Sequence, residues 1–203
     1  SPHVSHHYDV WPGRAISPEK TPELVEPFVL SNRKRGHQDD SAHGVIHRYF
    51  TAVRLDDLPD ATHNLRTLME HGYVTRTLNT VHYPYRVVCG DLLGAMPPML
   101  LEMLVYSDEG FLKLLPAVPA DLSKGTVRGV WLYTFAKIEE MEWDMEAGKA
   151  CATLSSLKDQ DVRCVFPVGF RQVFVNGELC AENGKEFTLS LKKAAPAEVS
   201  FVF

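Results

Sequence analysis

MLLEMLVYSDEGFLKLLPAVPA, residues 99–120, is where one hydrophobic rhythm gives way to another. Up to Tyr106 the apolar residues form a solid block, and Met99–Tyr106 is predicted as a buried helix. Beyond Gly110 they come in short runs separated by turn residues, and Leu112–Leu115 is predicted as a strand. The change near Gly110 divides the chain into a helical domain over 1–109 and an antiparallel β-sandwich over 110–203, an α+β arrangement.

Working back from that junction, Thr21-Pro22-Glu23 carries an N-cap, a first-position proline and a first-turn acid. Leu24, Val25, Phe28 and Val29 then give an apolar face, and the helix is expected to end near Gly36. Further helices are expected over Ser41–Leu55 and Pro59–His71, the latter closed by Gly72. A β-rich connection, Val81–Cys89, leads to Asp91. Working forward, strands are expected at 126–131, 137–143, 150–155, 163–166, 172–175, 186–191 and 198–203. Asn176-Gly177 signals a type I′ hairpin, and Glu146-Ala147-Gly148 and Asn183-Gly184 mark further turns.

The 203 residues suffice for one large domain or two small ones. The formal net charge of -5 with scattered Lys and Arg gives no footprint for nucleic acid. The longest apolar run, around Met96–Tyr106, is too short to cross a bilayer and is broken by Pro97, Pro98 and Glu102, so no membrane partner is expected. The first residues lack a basic region followed by an apolar one, so no secretory signal is read here, and the compartment stays open, a secreted or periplasmic parent being compatible. Cys89, Cys151, Cys164 and Cys180 have no Cys-x-x-Cys spacing and read as free thiols in apolar surroundings.

The N-terminal third is rich in catalytic residue types: His3, His6, His7, Asp9, His37, Asp39, Asp40, His43 and His47. His43 and His47, four apart, share a helix face as metal-binding pairs do. The segment lacks the Glu that a zinc protease places after the first His, and no third ligand is fixed by spacing. Hydrogen-bonded or substrate-facing histidines are therefore preferred, with no metal and no cofactor expected. Asp91 stands in the apolar, Gly-flanked run Val87–Gly94, where an unpaired carboxylate would be costly. It reads either as a helix N-cap or as a functional acid. Trp131 and Trp143 read as packing residues and His7 as exposed.

Several of these pieces, taken in order, resemble glycoside hydrolase family 95, whose founding activity is inverting 1,2-α-L-fucosidase. His3-Val4-Ser5-His6 with Trp11-Pro12-Gly13 is similar to its His-x-Ser-His segment and Tyr-Pro-Gly turn. Arg35-Gly36, Ser41–Arg48, Arg54-Leu55-Asp56, Glu102-Met103-Leu104, Leu114–Pro119 and Gly125–Val130 follow its layout, and together these cover roughly residues 1 to 145. Counted back from Glu102, Asp91 falls on the family's general base. The resemblance implies the last helices of an (α/α)6 barrel followed by a β-sandwich, and an oligosaccharide or glycoconjugate substrate with a terminal L-sugar. His3, His6, His43 and His47 would contact that substrate; the alternative reading is that the β half is a non-catalytic carbohydrate-binding or structural sandwich.

In the family the general acid lies upstream of the matching region, so this chain is expected to be inactive alone and to pack its helices against the rest of a parent polypeptide or another chain. The family's Gly-Trp-Ser-x-Ala-Trp-Lys appears here as Ala42–Arg48, with His43 and His47 in place of aromatic residues. Asp91 is followed by Leu92-Leu93 rather than Gly-Asn. These departures point to a divergent member and bring in L-galactose as a substrate beside fucose.

Overall fold

A computed structural model describes residues 4–35, 41–193 and 195–203. The chain is α+β and separates into two compact units, residues 1–103 and 104–203. His3, His37, Asp39 and Asp40 lie outside the described residues.

In the first unit, helix α1 (Pro22–Arg35) carries Val25, Phe28 and Val29 onto a small core of Val10, Ile16 and Leu55. Leu24, expected on that face, is exposed. Helix α2 (Ala42–Arg54) is the buried centre. Ser41 caps it by accepting from the Gly44 N–H at 3.2 Å, and Val45, Ile46, Tyr49, Phe50 and Val53 are buried along it. Helix α3 (Leu58–Glu70) is capped by Asp57 and closed at Gly72, whose φ of 82° places it in the left-handed region that glycine tolerates. A short hairpin, β1 (Val81–Tyr83) with β2 (Arg86–Val88), leads into helix α4.

Helix α4 spans Gly90–Leu104, beginning nine residues before the expected Met99, and Tyr106 belongs to a strand instead. Pro97 and Pro98 sit inside it without ending it. The carbonyls that lose their donors belong to Leu93 and Gly94, and both residues are exposed, so water can satisfy them. Tyr49 of α2 donates from its hydroxyl to the Met99 carbonyl at 2.7 Å. His43 at the start of α2 meets Asp91 at the start of α4, and Arg54 at the end of α2 meets Glu102 towards the end of α4. The partners lie eleven residues on in each helix (43 to 54, 91 to 102). The two helices therefore run parallel and in register over roughly 16 Å.

The second unit is one large sheet in the order β3 (Val105–Asp108), β4 (Phe111–Leu114), β8 (Gln160–Val175), β10 (Ala197–Val202), β7 (Lys149–Ser156), β6 (Ala136–Asp144), β5 (Lys124–Trp131), with β9 (Glu178–Leu191) paired to β8. The two expected strands at 163–166 and 172–175 form the single long β8, which shifts register between Val165 and Phe170. Asn183-Gly184 is not a turn. Gly184 lies inside β9 opposite Phe170, at the same irregularity, where Asn183 has a φ of 50°. Asn176 and Gly177, both at positive φ, make the expected β8–β9 hairpin turn. One pairing, β4 with β8, is parallel, so the sheet is mixed rather than wholly antiparallel. Its core stacks Phe166, Phe201, Phe170 and Phe187. Among the described residues no helix is long and apolar enough to cross a membrane.

Candidate functional site

The hairpin before α4 sets the position of Asp91. Buried Thr80 donates from its hydroxyl to the Cys89 carbonyl at 2.6 Å, and the Cys89 N–H donates to the Thr80 carbonyl at 2.9 Å. That double tie fixes the residue before the helix. Asp91 then falls in the first turn of α4, where unpaired backbone N–H groups and the positive end of the helix dipole favour a carboxylate. It is not buried, as its apolar neighbours suggested: 65% of its side chain is exposed. Leu92 takes the buried position instead, and the helix turns Asp91 outward.

The carboxylate nevertheless has a partner. His43 Nε2 lies 3.1 Å from Asp91 Oδ2. An ionised carboxylate only accepts, so Nε2 carries the proton and donates. The Cys89 thiol lies 3.7 Å from the same oxygen. Among the described residues both contacts go to Oδ2 of a side chain that is largely exposed. His82 of β1 meets the His43 ring edge-on at 5.0 Å. His82 carries no signal in the sequence beyond lying in an alternating strand.

One turn along α2, His47 stacks on Tyr8 at 5.5 Å and meets the edge of Trp11 at 4.8 Å. Trp11 lies flat on Phe50 at 4.5 Å. His43 and His47 thus share a face, as their spacing requires, with Tyr8 and Trp11 supplying aromatic surface. His6 turns elsewhere, its Nε2 at 3.2 Å from the Ser31 hydroxyl of α1. Burial and the nearby Arg35 lower its pKa. Among the described residues no three His, Cys, Asp or Glu side chains converge on a point that would hold a metal ion.

His7, expected to be exposed, is fully buried. Its backbone sits in a tight turn whose carbonyl accepts from both Val10 and Trp11, which swings the ring inward against Phe28 and within 3.1 Å of the Ser31 hydroxyl. Burial, then His6 and Arg35, push its pKa down to about 4. A histidine that is neutral when folded must take up a proton on unfolding below its ordinary pKa. Its contribution is therefore complete above pH 6.5 and lost as the pH falls towards 4. Between pH 7 and 4.5 His7 is expected to account for roughly 2 kcal/mol of lost stability. Urea unfolding of wild type and His7→Gln at both pH values measures this. The gap between the two proteins should change by that amount, and parallel pH curves would refute the assignment.

No family model matches the chain. It is 30% identical over 141 residues to α-L-fucosidase 2 of Arabidopsis thaliana, a match covering 63% of this chain. The match is a divergent one, to part of a glycoside hydrolase. It spans 16% of the length of that curated relative. Among solved structures, a GH127 β-L-arabinofuranosidase from Geobacillus stearothermophilus T6 aligns over 87% of this chain and 30% of its own, at 12% identity and a TM-score of 0.38.

Proposed function

We propose that this chain is the C-terminal portion of an inverting exo-glycosidase that removes terminal α-L-fucose or a related L-sugar, with Asp91 as the general base. The observation that carries this reading is the Asp91 carboxylate, solvent-facing at a helix N-terminus and held through one oxygen by His43 at 3.1 Å. Similarity to α-L-fucosidase 2 supports the substrate class.

In this reading the restrained Oδ2 keeps the carboxylate oriented, while Oδ1 takes a proton from the water that attacks the anomeric carbon. The general acid comes from sequence outside this chain and stands about 6.5 to 9.5 Å from Asp91, leaving room for that water. Helices α2 and α4, parallel and one helix apart in the chain, take the place of two inner helices of an (α/α)6 barrel. The sheet takes the place of the C-terminal sandwich. His3, His6, His43 and His47 were the candidate substrate contacts. His43 becomes the residue that positions Asp91, His47 with Tyr8 and Trp11 lines the sugar site, and His6 serves its margin beside α1.

Two imidazoles where the family has aromatic rings exchange stacking surface for hydrogen-bonding capacity. A site that bonds a hydroxyl discriminates strongly against a sugar lacking it. L-Galactose, which carries the hydroxyl that fucose lacks, is therefore the favoured alternative. The test is hydrolysis of aryl α-L-fucoside and aryl α-L-galactoside by the full-length protein, followed by proton NMR from the first turnover. The β-anomer is expected first. Initial release of the α-anomer would exclude single displacement, and no hydrolysis of either glycoside would remove the assignment.

A further inference from the structure

The β unit carries a second surface, remote in function from Asp91. Cross-strand register aligns Thr126, Glu142, Cys151 and Ser200 in one row and Arg128, Glu140, Thr153 and Glu198 in the next, both on the side of the sheet away from the core. Two open depressions lie on this face, of about 370 Å³ and 460 Å³. They share Glu142 and Cys151 and so form one trough across β5, β6 and β7.

Several of the charges on this face are paired. Arg128 pairs with Glu140 at 2.6 Å, Lys137 with Glu139 at 2.5 Å and Lys124 with Asp144 at 3.3 Å. Acids outnumber bases along the lining, so a polyanion would find no basic field there. What the surface offers is donors, acceptors and hydroxyls side by side, the complement of a neutral polyhydroxylated ligand.

Further along the β5–β6 ladder stands an aromatic group. Trp131, expected to be packed, is 65% exposed, and its register partner Lys137 brings Nζ to 5.8 Å from the ring centre. Tyr133 and Phe135 follow, both exposed. The turn between them is rigid. Leu132 and Thr134 are buried, Gln160 donates to the Thr134 carbonyl at 2.7 Å, and the Tyr133 N–H donates to the Ser107 hydroxyl at 2.8 Å. Phe135 adopts a φ of 58°, which Gly or Asn would accept without strain.

We propose that this face is a non-catalytic glycan-binding cleft. A pyranose ring of a neutral oligosaccharide stacks on Trp131, and the following units lie along the Glu140–Thr153 and Glu142–Cys151 rows. A flat aromatic and paired carboxylates suit a sugar's apolar face and its vicinal hydroxyls. The inference does not depend on the hydrolase reading.

Native affinity electrophoresis of this chain in gels containing xyloglucan, galactomannan, arabinogalactan or heparin tests it. Retardation by at least one neutral polysaccharide is expected, with none by heparin. Trp131→Ala should weaken binding about tenfold, the worth of one sugar-aromatic stack. Thr153→Val, which keeps shape and removes a hydroxyl, should weaken it less, and Asp91→Ala should leave it unchanged. Because Trp131 is exposed, an unaltered melting temperature will show that its variant is folded. No retardation by any neutral polymer, full binding by the Trp131 variant, or loss of binding in the Asp91 variant would each overturn the proposal.

Discussion

Asp91→Asn in the full-length protein is expected to lower kcat by about 10³-fold, within the range that removal of a general base produces, with KM changed only a few-fold. Asn is isosteric, and its amide oxygen still accepts from His43 Nε2, so the local geometry is retained. What it lacks is a basic oxygen for the proton of the attacking water. The side chain is largely exposed, so the fold does not rest on it, and the only structural loss is the favourable charge at the start of α4, about 0.3–1 kcal/mol. His43→Ala is the companion experiment. It frees Oδ2 and should lower kcat by about tenfold to a hundredfold, and His43→Gln, which can still donate, should recover part of that. Progress curves with an aryl α-L-fucoside or α-L-galactoside, beside far-UV circular dichroism, measure both. Turnover at the wild-type rate in Asp91→Asn would remove Asp91 from the chemistry. A deficient Asp91 variant beside a normal His43→Ala would leave the base in place and refute the positioning role.

What the sequence made legible is what depends on neighbours along the chain. Ser41 and Gly72 mark helix ends because capping is local, and Asn176-Gly177 marks a hairpin because only a few residues tolerate that backbone. Helix α4 was misplaced because Pro97-Pro98 reads as a break. Whether it breaks depends on the solvent access of carbonyls four residues back, which is a tertiary property. Strands β8 and β9 were cut short for a related reason: the irregularity at Phe170 and Gly184 looks like a turn in one strand until its partner is seen to bulge with it. At the site, spacing placed His43 and His47 on one face, but it could not show that His43 faces Asp91, 48 residues away, or that His82 meets the His43 ring. His7 and Trp131 were misjudged in opposite directions, one a polar ring folded inward and the other a large apolar one left outside. Each is decided by long-range packing, and Trp131 breaks the local rule where a surface function is proposed.

Arg54→Ala is expected to destabilise the helical unit by about 3–5 kcal/mol, the cost of removing one partner of a buried ion pair. Arg54 and Glu102 are only 7% and 19% exposed, and the guanidinium fork meets both carboxylate oxygens, Nε to Oε2 at 2.9 Å and Nη2 to Oε1 at 2.8 Å. Its remaining nitrogen donates to the carbonyls of Gly13 at 2.7 Å and Val10 at 3.2 Å. Truncation therefore strands a carboxylate and two carbonyls at once. Against a typical total of about 5–15 kcal/mol, such a loss brings the unit near its unfolding threshold. Arg54→Lys keeps the charge but not the fork, and should cost less than Ala while still being clearly destabilising. Urea titration followed by far-UV circular dichroism measures the differences, and a loss below about 1 kcal/mol for Arg54→Ala would place the pair among weak surface bridges. The consequence reaches the site. Arg54 ties the end of α2 to α4 and to the segment that carries Trp11, while His43 ties the beginning of α2 to Asp91. Loosening the far clamp lets the two parallel helices slip along each other. Even a variant that stays folded should then lose part of the Asp91–His43 registration, and its kcat should fall although the substitution touches no reacting group.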